Sequence, residues 1–289
     1  MSIPRSTYVF LVIGLLAASQ SGNIIRLGEA HAVAIAFWRL ILATLLLAPL
    51  AGRDLGLLRR LSRLDATLVL LAGVTLALHF FAWIAAVQWT TVANAAIFFS
   101  INPVLTGAAA FLIFRERIGV KLVISILLGL TGITLIGWQD FRLAPEHLAG
   151  DVSALVCSAL FTLYFLLGKR LRRALPTTVY VTAVYGVAAG TALICMPLLD
   201  LPLLDYDGQT WLCFGLMALV PTMLGHTSIN NALKYIDASR ISVATLSEPL
   251  LAGLVAYLAW GESISALVVL GYLLISSSVV VLVLDRQSG

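Results

Sequence analysis

Between Asp65 and Arg115 the chain contains no Lys, Arg, Asp or Glu. A run of that length holds two apolar helices of about 20 residues, the length that crosses the hydrocarbon core of a bilayer. It is one of a series. Residues 6–25, 122–139, 152–168, 174–199, 208–233 and 263–284 are also free of these charges, and each holds one helix. Two further apolar runs carry a charge inside them, Arg39 in one and Glu248 in the other. With 61% hydrophobic and 11% charged residues, the chain is far from the quarter-charged composition of soluble domains. In lipid each backbone polar group must be satisfied within the segment, so these runs are helices. The expected fold class is an all-α integral membrane protein with ten transmembrane helices, near 7–26, 31–51, 66–87, 91–114, 119–138, 150–169, 177–199, 209–232, 239–260 and 264–284.

The basic residues give an independent check. With both termini placed in the cytoplasm, every Lys and Arg except Arg26, Arg39 and Arg142 falls in a cytoplasmic segment. That alternation follows the positive-inside rule, and a wrong number of spans would scramble it. The net charge of +4 therefore reports loops biased towards one membrane surface, not a nucleic-acid partner. Arg5, the apolar run after it and Ala17-Ala18-Ser19 have the outline of a cleavable signal peptide. The run continues through Gln20 and Asn23, however, and its removal would leave an unpaired half, so it is read as the first span. Cys157, Cys195 and Cys213 all fall inside expected spans, without metal-ligand spacing or a disulfide framework.

The chain also repeats itself. "SINPVLTGAAAFLIFRE" (100–116) and "LSEPLLAGLVAYLAWGE" (246–262) both have Pro fourth, Gly eighth and Glu last. Superposing Pro103 on Pro249 places the third to fifth spans on the eighth to tenth. Each half, 1–146 and 147–289, then holds five spans. Five is odd, so the second half enters the membrane inverted, the architecture of secondary transporters with a binding site near the midplane.

At these residues the sequence resembles a known family. "ALKYIDASRISVATLSEPLLAGLVAYLAWGESI" (232–264), "GDVSALVCSALFTLYFLLGKRL" (150–171) and "FWRLILATLLLAPL" (37–50) are similar to segments of the EamA family of the drug/metabolite transporter superfamily. Within it the chain looks most like the bacterial exporters of aromatic and other amino acids. The resemblance implies two inverted five-helix halves in the plasma membrane, the bacterial inner membrane, moving small metabolites or amino acids outwards. Other branches of the superfamily remain as alternatives, the hydrophobic drug exporters and the nucleotide-sugar or phosphorylated-metabolite antiporters. The expected partners are a small-molecule substrate and membrane lipid, without nucleic acid, cofactor or metal, and with the chain monomeric or weakly dimeric.

Candidate substrate contacts follow from polar groups at mid-depth. Pro249 cannot donate a backbone hydrogen bond and clashes with the turn before it, so the helix should break beside Glu248, where Thr245 C=O is left partly unpaired. Pro103 should do the same beside Asn102. Glu248 reads either as a contact for a substrate cation or a coupled proton, or as a structural group between helices, and Asn102 likewise. His79 and Trp83 stand four apart on one helix face, and His79 is the readily titratable group within 66–114. Arg39 needs a partner, because an unpaired cation near the midplane costs about 2.5–3.5 kcal/mol. A substrate carboxylate, Glu248 or the interface would each serve. Trp38, Tyr164, Asn23 and Gln20 are further candidates to line the cavity, while Asn230 and Asn231 read as gate or cap groups.

Glu116 and Glu262 are expected to be structural, each favouring the N-terminal dipole of the helix that follows it. The stretches 107–110, Gly253-x-x-Ala256 and Gly129-x-x-Gly132 are expected to pack helix on helix and not to bind substrate. The chain has no HExxH, no paired intramembrane aspartates and no Gly-x-Ser-x-Gly elbow. Catalysis is therefore not expected. No phosphate-binding glycine loop accompanies the spans, so gradients must drive transport.

Overall fold

The computed structural model describes residues 4–90, 92–138, 145–260 and 265–284. Nine helices among them are long and apolar enough to cross a membrane: α1 (Arg5–Ile25), α2 (Ala32–Ala51), α3 (Arg63–Trp89), α4 (Asn94–Phe114), α5 (Val120–Gly137), α6 (Leu148–Leu171), α7 (Thr177–Leu198), α8 (Gly208–Ala232) and α10 (Ala266–Leu284). The remaining span, α9, is made of two shorter pieces, Ala238–Thr245 and Glu248–Trp260. Span boundaries agree with the sequence reading to within about three residues, because a fixed hydrocarbon thickness sets helix length.

Local chemistry sets the helix ends. Ser62 Oγ accepts from Asp65 N at 3.1 Å and donates to its carboxylate at 2.8 Å, closing a reciprocal cap at the start of α3. Asp207 caps α8 through Thr210 N at 2.8 Å. The end of α2 turns on a positive φ that glycine adopts without strain, Gly52 at φ 48°, and a 3₁₀ segment, Gly52–Arg60, follows.

The packing has two-fold character. α3 lies along α6, as α8 lies along α1, and α4 touches α6 as α9 touches α1. α3 also meets α7 as α8 meets α2. The pairs α2–α7, α4–α9 and α5–α10 face one another across the axis relating the halves. Exchanging α1–α5 for α6–α10 preserves this pattern, which is the signature of two inverted five-helix repeats.

Two of the three expected small-residue contacts differ from expectation. At the α5–α10 crossing, a methyl on Gly132 would lie 2.7 Å from the Gly271 carbonyl oxygen, so the backbones touch through glycine. Gly129 is as tightly placed, against Leu246 and Ser278. Gly107, by contrast, has nothing within 4 Å of such a methyl, so it is not a close-approach point. Gly253 abuts the Tyr272 hydroxyl and lines the central cavity described below. It therefore belongs to the cavity wall as well as to a helix contact.

α4 and α9 break where their Asn-Pro and Glu-Pro pairs begin a new helix. In α4 the helix Val92–Phe99 stops at a turn and restarts as Asn102–Phe114. Ser100 Oγ bonds back to Ile97 O at 2.6 Å, and in α9 Ser247 Oγ bonds back to Ala244 O at 2.7 Å. Each carbonyl also accepts the backbone N–H of the same serine, at 3.2 Å in α4 and 3.1 Å in α9, so each break closes as a tight turn. A third irregularity is absent from the sequence expectations: residues Ala218–His226 of α8 form a π-helix around Pro221. There Thr222 Oγ1 donates to Met217 O at 2.7 Å, five residues back, and supplies a bond of the kind that proline cannot make.

Candidate functional site

The breaks in α4 and α9 meet at a central cavity of about 370 Å³. α1, α3, α4, α5, α6, α8, α9 and α10 all contribute to its wall, so both halves build it. Asn102, His226 and Thr245 lie at its mid-depth floor. Arg26, Gly137 and Val268 lie at its mouth, the end where α1 and α5 finish and α10 begins. Phe80, Trp83, Phe99, Phe161 and Tyr272 give it aromatic walls.

The opposite end is sealed by polar clamps. Glu116 accepts from Ala238 N at 3.2 Å, Ser239 N at 3.3 Å and Ser239 Oγ at 2.7 Å. It thus caps α9 of the other repeat and not the next helix of its own, which corrects the sequence reading. Glu262 lies outside the described residues. Lys169 Nζ donates to Ile236 O at 2.6 Å, and the buried Arg172 donates to the carbonyls of Asn230 and Leu175.

The predicted site residues divide in two. Glu248, Pro249, His79, Trp83, Asn102 and Asn23 line the cavity. Glu248 begins the second half of α9, where the helix dipole favours a carboxylate. Among the described residues no hydrogen-bond donor or cation engages it, so its carboxyl group faces the cavity without a protein partner. Asn102 differs although it occupies the matching position in the repeat. Its amide donates to Ser158 O at 3.2 Å and Thr162 Oγ1 at 3.0 Å, and its oxygen accepts from Thr106 at 3.4 Å and from Ser242. With every hydrogen-bonding position filled, Asn102 ties α4, α6 and α9 together and leaves nothing to offer a ligand. Pro103 is buried beside it and is not part of the cavity wall. His79 Nδ1 lies 3.2 Å from the Cys157 carbonyl. The Cys157 thiol Sγ lies at the same 3.2 Å, so both polar groups of Cys157 hold the imidazole in place through Nδ1 and leave Nε2 without a protein partner among the described residues.

Trp38, Arg39, Tyr164 and Gln20 are placed outside the cavity wall. Trp38 Nε1 donates to Leu203 O at 3.1 Å, and its ring meets Trp211 edge-on at 4.5 Å. Tyr164 accepts from Asn230 Nδ2 at 2.6 Å in the packed interior. Gln20 bonds Ser19 and Asn23 along its own helix. Arg39 is fully buried, donating from Nε to Thr222 Oγ1 at 2.9 Å with its guanidinium 3.9 Å from the Phe80 ring centroid. It neither reaches the interface nor pairs with Glu248.

Sequence reading missed Phe80, Phe99, Phe161, His226 and Tyr272. Rings cluster around His79: Phe161 stacks on it at 4.9 Å and His226 lies 6.2 Å away edge-on. In helices apolar on all sides, nothing in the sequence pattern distinguishes an aromatic facing the cavity from one facing lipid. The one signal for His226 was its place one step beyond the residue matching His79 in the repeat.

Comparison with known proteins agrees with this architecture. The chain is 29% identical over 253 residues to an uncharacterized transporter of Archaeoglobus fulgidus, covering 86% of each chain. It is 27% identical over 236 residues to an uncharacterized transporter of Clostridium kluyveri, covering 78% of this chain and 71% of that one. It is 25% identical over 194 residues to the uncharacterized transporter YyaM of Bacillus subtilis, covering 65% and 63%. A solved crystal structure shares the fold with a TM-score of 0.83 at 20% identity, across 98% of this chain and 99% of that one. The EamA-like transporter family matches residues 5–138 and 148–284. This chain, a multi-pass membrane protein built from two inverted five-helix repeats, belongs to that family of transporters.

Proposed function

We propose that the protein is a secondary transporter exporting amino acids and related small amphiphilic metabolites across the plasma membrane. It works by alternating access of the central cavity, as the repeats 1–146 and 147–289 rock against one another. The observation that carries this reading is Glu248, a carboxylate at mid-depth in an aromatic-walled cavity with no protein partner among the described residues. An ionised group there is costly unless a cation or proton answers it. A substrate ammonium or a coupled proton supplies that answer, and Phe80, Trp83, Phe99 and Phe161 accept an apolar side chain. With both termini cytoplasmic, the mouth at Arg26, Gly137 and Val268 faces outwards and the Glu116 clamp closes the inner end.

A phosphate dianion fits poorly. Arg26, at the mouth, is the one Lys or Arg in the cavity wall among the described residues, whereas phosphate recognition calls for clustered cations. Uptake of labelled amino acids into proteoliposomes, with and without a pH gradient, tests the proposal. Saturable uptake of aromatic or neutral amino acids, abolished in Glu248→Gln, supports it. Transport of a phosphorylated sugar with none of amino acids would sink it.

A further inference from the structure

We infer that Arg39, behind the cavity wall, is a concealed subsite for the anionic end of the substrate, closed in this state by the Phe80 ring. The inference rests on the exporter reading and extends it to a residue outside the cavity. Arg39 is entirely buried, and neither Nη1 nor Nη2 has a hydrogen-bond partner among the described residues. The described ion pairs involve Lys169, Arg170 and Arg240, not Arg39. What covers the guanidinium is the face of Phe80, whose ring centroid is 3.9 Å away. Phe80 is also a wall of the cavity. One ring therefore separates a buried cation with two free donors from the space where substrate sits.

The surroundings suit an anion once the ring moves. His226 meets Phe80 edge-on at 5.0 Å and lines the cavity, and its Nδ1 is likewise buried without a partner. His226 and Thr222, the residue that holds Arg39 Nε, both belong to the π-helical segment of α8. π-helical segments occur frequently at functional sites. A quadrupolar ring compensates a desolvated guanidinium only in part, whereas a carboxylate takes both Nη donors in a fork geometry. Rotation of Phe80 exchanges the weaker partner for the stronger one. It does so only when the substrate carries the anion in.

Equilibrium binding to the full-length protein in nanodiscs tests this with three ligands of one shape: phenylalanine, phenethylamine and phenylpropionate. Arg39→Gln is expected to weaken phenylalanine and phenylpropionate about ten- to hundred-fold, the loss of a charge-assisted pair, and to leave phenethylamine unchanged. Glu248→Gln is expected to weaken phenylalanine and phenethylamine and to spare phenylpropionate. Phe80→Ala removes the cover, so phenylpropionate should bind more tightly, without a gain for phenethylamine. If Arg39→Gln does not fold, that anion-selective gain is sufficient to test the subsite. Equal weakening of all three ligands by Arg39→Gln, or no anion-selective gain in Phe80→Ala, overturns the subsite and leaves the exporter reading standing. Wild-type protein that binds none of the three overturns both.

Discussion

Asn102 and Glu248 occupy equivalent positions in the two repeats, yet the structure gives them opposite work, and stability measurements separate the two. Asn102→Leu keeps the side-chain volume and removes four hydrogen bonds, to Ser158, Thr162, Thr106 and Ser242. Three of these run between helices, where a hydrogen bond averages about 0.6 kcal/mol, so the loss should be about 2 kcal/mol. Glu248→Gln removes no protein partner and should stay within about 0.5 kcal/mol of wild type. Reversible unfolding in bicelles, followed by steric trapping or by titration with denaturing detergent, reads both values. The reasoning fails if Asn102→Leu unfolds like wild type while losing substrate, since Asn102 would then be a ligand and not a tie. A Glu248→Gln variant destabilised as much as Asn102→Leu would equally refute the assignment of a free carboxylate.

Further outcomes follow from the same contacts. Gly132→Leu puts a side chain where the Gly271 carbonyl already sits, so the α5–α10 crossing should open at a cost of about 1–3 kcal/mol, read as a lower melting temperature in detergent. Glu116→Ala uncaps α9 at the sealed end; a loss of about 0.5–2 kcal/mol is expected, together with greater solvent accessibility of Ser239 to hydrogen exchange. The hydrogen bonds from Thr210 hold the Asp207 carboxyl below its usual range, so its cap favours folding at neutral pH and is lost as pH falls through that lowered value. Asp207→Asn keeps the cap without the charge. The stability difference between it and wild type should therefore change only in the acidic range.

The parts of this fold that the sequence reveals are those imposed by the bilayer. Each span must satisfy its own backbone over a fixed thickness, so apolar runs mark α1 to α10, free of charge except for Arg39 in α2 and Glu248 in α9, and proline marks the breaks in α4 and α9. Rotation of a helix about its axis leaves no such trace. When all faces are apolar, Phe161 facing the cavity and Leu163 facing outwards look alike in sequence, and the aromatic walls stay hidden. Trp38 and Tyr164 mislead for the opposite reason: their polar tips suggest a ligand, but each finds a partner, Leu203 O and Asn230, in the folded protein. Glu116 does sit at a helix start, but the helix is in the other repeat. That pairing depends on how the halves dock, which no local pattern encodes. The π-helix of α8 has a visible cause in Pro221, but proline alone does not say whether a ladder kinks, breaks or widens.

Alternating access is the central claim, and the most direct measurement follows one position in the cavity wall from both sides of the membrane. Ala252→Cys, in a background with Cys157, Cys195 and Cys213 replaced by alanine, places a thiol beside the Asn23 contact within the cavity. In vesicles of one orientation, a membrane-impermeant maleimide should label it from the side of Arg26, Gly137 and Val268 in the resting protein. During turnover of substrate the same thiol should become reactive from the Glu116 side as well. Labelling from the first side alone, under every substrate condition that supports flux, would contradict the account.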